Sequence, residues 1–112
     1  MTTIRPLWKV KRLVDKEVYA ASRKEWCEIP TCSNLTAGGS HHVIPRSCSG
    51  PDHPYNLISL CVVCHTKAHD GNIPRSLQFA IVARREGVEV EELISTINRI
   101  RRGESGIPNP TR

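Results

Sequence analysis

Bulky aromatic side chains are scarce in this chain: two Trp, two Tyr and one Phe serve 112 residues, alongside a single Met. Hydrophobic residues make up only 38%. A length of this order fits one domain and leaves little room for a second independent core. No apolar run approaches the ~20 residues that a membrane-spanning helix needs, so no membrane partner is expected. The first eight residues also lack the apolar centre of a secretory signal, which makes the cytoplasm the expected location. Cysteine pairs in a reducing compartment bind metal more often than they form disulfides. No internal repeat is present.

What the chain does have is five Cys and five His. A thin core needs a staple, and these residues make a metal the first candidate. The formal charge is +5 and it is unevenly placed. Residues 1–26 hold seven Lys/Arg against three acids, residues 27–72 two against three, and residues 73–112 seven against five. The surplus therefore flanks the Cys/His-rich centre. That pattern suits a polyanion gripped by the flanks, and equally an ordinary basic surface.

Four segments follow. Residues 1–26 form a basic N-terminal segment in which Leu13, Val14, Val18 and Ala21 predict a helix over 10–25. In the central segment, 27–72, seven Pro and Gly between 26 and 60 exclude a long helix. Extended runs are expected at 40–44 and 57–60, then a short helix over 61–69 stopped at Asp70-Gly71. In the third segment, 73–102, Pro74 opens a helix over 76–85 that Gly87 ends. Another spans 90–101, with Val90, Leu93, Ile94, Ile97 and Ile100 on one face, acids at its start and bases at its end. That stripe reads as core packing before it reads as a partner site. Residues 103–112 read as a disordered tail.

Cys27 and Cys32 form C-x4-C, Cys61 and Cys64 form C-x2-C, and 28 residues separate the pairs. Two tight turns supplying two thiolates each are the usual way to build a tetrahedral structural Zn²⁺ site. Binding free energy then becomes folding free energy. Cys48 falls outside both pairs and reads as unliganded.

His65 and His69 lie i, i+4 on the short helix, roughly 40° apart around its axis, so both can face one ion. Cys61 and Cys64 fall roughly 90° away on the same helix. One helix can then serve two metals, a structural one and a catalytic one. His41 and His42 adjoin in an extended run and so point to opposite faces, one able to ligate while the other reaches a water. His53, between Asp52 and Pro54, reads as a surface histidine.

The run HHVIPRSCSGPDHPYNLISLCVVCHTKAH, with its preceding cysteine pair, resembles the HNH endonuclease family over about 27–70. The motif residues are His42, Asn56 and His65. The resemblance implies an α+β chain with a ββα-metal (His-Me finger) core on a four-cysteine zinc knuckle, flanked by an N-terminal helix and one or two C-terminal helices. It implies that His42 is the general base for the attacking water. His41, His65 and, by a colicin-like comparison, His69 hold the catalytic ion. Asn56 ties the loop to the first strand and holds the base. Small free-standing members resemble those of phages and prophages, some of which assist the DNA-packaging terminase.

Phosphodiester hydrolysis needs groups of this kind: an imidazole that titrates near neutrality and a cation that offsets charge on phosphate oxygens. Arg46, after the first strand, is a candidate phosphate contact. The expected function is a DNA endonuclease or nickase with a structural Zn²⁺ and a catalytic Mg²⁺, Mn²⁺, Ni²⁺ or Zn²⁺. The rival is a non-catalytic zinc module that binds DNA or protein.

Overall fold

The computed structural model describes residues 14–36 and 40–103. The expected tail from 104 onward, the expected start of the N-terminal helix before Val14 and residues 37–39 lie outside them. The fold is α+β. Helix α1 (Lys16–Ala21) leads to strand β1 (His41–His42), and 3-10 turns follow at Arg46–Cys48 and Pro54–Asn56. Strand β2 (Leu57–Ile58) comes next, then α2 (Val62–His69), α3 (Arg75–Glu86) and α4 (Val90–Arg101). Among the described residues, no helix is long and apolar enough to cross a membrane.

β1 and β2 pair antiparallel, with His41 opposite Ile58 and His42 opposite Leu57. The strands are shorter than the apolar pattern predicts, because the proline-rich loop between them turns away after Val43. Val43 N–H still donates to Asn56 O at 2.9 Å, the last rung of the ladder. With α2 following β2 directly, the centre is a β-hairpin capped by a helix.

The C-terminal helices follow the sequence signals closely. Pro74 precedes α3, and Gly87 ends it at φ +69°. That left-handed conformation is one a β-carbon disfavours. On α4, Leu93 and Ile97 are fully buried, and they join Phe79 and Val82 of α3, Ile58 and Tyr55 in one core. With Val90 and Ile94 packed against that core, four of the five stripe positions of α4 are core packing.

Helix α1 departs from expectation. Among the described residues it covers only Lys16–Ala21, with Asp15 outside it as the N-cap, its Oδ1 accepting from Val18 N–H at 3.1 Å. Arg23 and Lys24, expected in its last turn, lie beyond it. The reason is tertiary: Lys24 N–H donates to Ser59 Oγ at 2.8 Å, and Thr36 Oγ1 donates to Lys24 O at 2.6 Å. These bonds draw the backbone off the helix and into the turn that carries Cys27 and Cys32.

Arg85 of α3 fastens three parts together. Its guanidinium donates to Glu28 at 2.9 and 3.0 Å, to Leu57 O at 3.0 Å and to Pro54 O at 2.6 Å. Glu28 in turn accepts from Ser59 N–H at 2.9 Å.

Candidate active site and metal centres

The sulfurs of Cys27, Cys32, Cys61 and Cys64 lie within 4.8 Å of one another. Cys32 and Cys61 Sγ are 3.7 Å apart. Tetrahedral Zn–S bonds of ~2.3 Å place sulfurs about 3.8 Å apart, so the donor set and spacing fit Zn²⁺. Cys61 is the N-cap of α2, its sulfur accepting from Cys64 N–H at 3.4 Å. That amide, helped by neighbouring thiols and Asn34, lowers the Cys61 pKa to about 6. Burial pushes the Cys27 and Cys64 thiols up. Four thiolates packed this closely would need a cation to offset their charge. Cys48 is exposed and stands apart from the cluster.

A second donor set lies on the other side of α2. One ring nitrogen each from His41, His65 and His69 falls within the same 4.8 Å limit. The Nε2 atoms of His65 and His69 approach to 3.1 Å, and the His41 ring centroid lies 4.9 and 5.3 Å from theirs. Three imidazoles converging in this way fit a divalent ion with open positions remaining. Burial, with His65 and His69 close by, lowers the His41 pKa to about 4, and His65 is lowered by burial and by His69. Both shifts favour the neutral ring at His41 and His65, the form that ligates.

His42 leaves β1 on the opposite side. Its Nε2 lies 2.7 Å from Asp52 Oδ1, and its ring stacks on Tyr19 at 5.5 Å between centroids and 17° between planes. Asn56 is fully buried and contacts backbone alone in the bonds it makes: Oδ1 accepts from Ile44 N–H at 2.8 Å, while Nδ2 donates to Ile44 O at 3.0 Å and Pro51 O at 3.2 Å. It closes the loop 44–51 behind the strand that bears His42. Gly50 completes the closure, since a β-carbon there would lie 1.7 Å from Ile44 O.

His41, His42, His65 and His69 all line one cleft of about 760 Å³. Arg46 and Arg75 line it too, and the Arg46 guanidinium sits 5.3 Å from the Tyr19 ring centre. Ser40 Oγ and Gln78 Oε1, on residues of the same wall, are buried with no hydrogen-bond partner among the described residues. The expectation for His53 is overturned. It is buried at 2% exposure, its Nδ1 accepting from Tyr55 N–H at 3.1 Å, because it caps the 3-10 turn that carries Asn56. Sequence reasoning passed over Asp52, Tyr19 and Arg75. Asp52 alone carried a signal, as a carboxylate held between Pro51 and the His53-Pro54 pair. Tyr19 and Arg75 are brought in by tertiary folding that no local pattern marks.

Residues 27–71 match the family model described as HNH endonuclease. The match starts at the first cysteine of the sulfur cluster and ends one residue past the C-cap of α2. No curated protein and no solved structure matches the chain.

Proposed function

We propose that this protein is a metal-dependent DNA endonuclease or nickase, with His42 as the general base. Supporting this reading above all is that His42 and the three-imidazole cluster open into the same cleft, from opposite sides of one two-residue strand. A base and a cation site sharing a cleft is what in-line attack of water on a phosphodiester requires.

In this reading, His42 takes a proton from the attacking water through Nδ1, the ring nitrogen not directed at Asp52. His41, His65 and His69 hold the divalent ion, which when bound offsets charge on the phosphate and leaving oxygens. Arg46 and Arg75 bind neighbouring phosphates. Asn56 keeps the loop closed and so holds the strand of His42 in register. Cys27, Cys32, Cys61 and Cys64 hold a structural Zn²⁺ that fixes α2, an eight-residue helix too short to be stable alone. The basic flanks of the sequence supply further phosphate contacts to DNA.

Incubating supercoiled plasmid with the zinc-loaded protein across Mg²⁺, Mn²⁺, Ni²⁺ and Zn²⁺ tests this reading. Nicked or linear product with at least one ion is expected. Intact plasmid with all four would favour a binding module instead.

A further inference from the structure

Asp52 is 3% exposed, and both of its carboxylate oxygens are engaged. Oδ1 lies 2.7 Å from His42 Nε2, and Oδ2 accepts from Asp15 N–H at 3.0 Å. Asp15 is the N-cap of α1, and one turn further along that helix Tyr19 stacks on the His42 ring. We propose that Asp52 is a positioning residue that fixes which nitrogen of His42 carries the proton, and that α1 locks it in place. The inference rests on the nuclease reading and extends it to a helix outside the matched stretch of 27–71.

A carboxylate is an acceptor only, so a bond to it requires the hydrogen on Nε2. The lone pair is then left on Nδ1, as the base needs. Hydrogen bonding sets the rotation of the ring, and stacking on Tyr19 sets its plane. Asp15 N–H also prevents the carboxylate from turning. A backbone donor cannot be satisfied by an amide NH₂, so at this position an Asn would keep its oxygen toward Asp15. Its NH₂ would then face His42 Nε2, which must accept. The proton would move to Nδ1, and the base would be lost with the fold intact.

The test is ¹⁵N NMR of the imidazoles in zinc-loaded wild type and Asp52→Asn, at about pH 8 where an ordinary imidazole is neutral, alongside plasmid cleavage. Wild-type His42 should carry its hydrogen on Nε2, and Asp52→Asn on Nδ1. With zinc content unchanged, kcat should fall roughly 100-fold or more and KM little. Tyr19→Phe, which keeps the stack, should retain the wild-type tautomer. A wild-type hydrogen on Nδ1 would overturn the proposal, and that result needs no variant to fold. So would an unchanged tautomer in Asp52→Asn. A tautomer switch in a protein that never cuts plasmid would support the hold of Asp52 on the ring while removing the nuclease reading.

Discussion

Cys64 and His65 are consecutive on α2, yet Cys64 is buried in the four-sulfur cluster while His65 is exposed in the three-imidazole cluster. Two donor sets thus share one eight-residue helix. Their dependence is expected to run one way, because the sulfur site holds the helix and the imidazole site rides on it.

Cys64→Ser should therefore lose both ions and much of the helical signal, whereas His65→Ala should lose only the second ion. Metal content by mass spectrometry with far-UV circular dichroism separates the two. Retention of the second ion by an unzinced Cys64→Ser protein would show the sites to be independent.

Asn56→Ala removes three hydrogen bonds and leaves Ile44 N–H, Ile44 O and Pro51 O to find other partners in a buried loop. A loss of about 2–4 kcal/mol in urea unfolding is expected. Cleavage should fall as well, since the strand of His42 loses its backing. A change within a few tenths of a kcal/mol would mean that the loop holds its shape without this residue.

Arg85→Ala should cost about 3 kcal/mol, because it strands Glu28 in a half-buried position and frees the carbonyls of Pro54 and Leu57. Activity per folded molecule should stay near wild type, since Arg85 lies outside the cleft. A stability unchanged by this substitution would show that α3 is fastened by its apolar face alone.

Stability should also depend on pH through His41. Its folded pKa of about 4 lies below the ordinary 6.5, chiefly through burial and then through His65 and His69. Between these values the unfolded chain binds more protons, so stability rises with pH across the window and is lost as pH falls from 6.5 toward 4. Without the second ion, and with zinc kept on the sulfurs, His41→Gln should show a shallower loss than wild type. Equal slopes would remove His41 from the acid response.

Much of this was legible in local pattern. The limits of α4, the stop at Gly71 and the glycine end of α3 follow from turn chemistry and apolar spacing, which act over a few residues. The sulfur set was legible from spacing, as C-x4-C with C-x2-C, and so were two members of the imidazole set, the i, i+4 pair of His65 and His69; His41 was added by the family resemblance. What was hidden depends on contacts between distant residues. Ser59 and Thr36 shorten α1, and Asp52 meets both Asp15 and His42 only after the loop folds back. His53 read as exposed because its neighbours are polar and prolyl, but the whole segment from Gly50 to Cys61 is buried. In a chain with so few aromatics, hydrogen-bonded loop backbone takes up part of the interior.

The most direct measurement is the cleavage rate of His42→Ala against wild type, at matched zinc content and matched far-UV spectra, on supercoiled plasmid with the most effective divalent ion. Loss of a general base predicts a rate lower by roughly 100- to 10,000-fold with both metal sites still loaded. Cleavage by His42→Ala at the wild-type rate would contradict its assignment as the base.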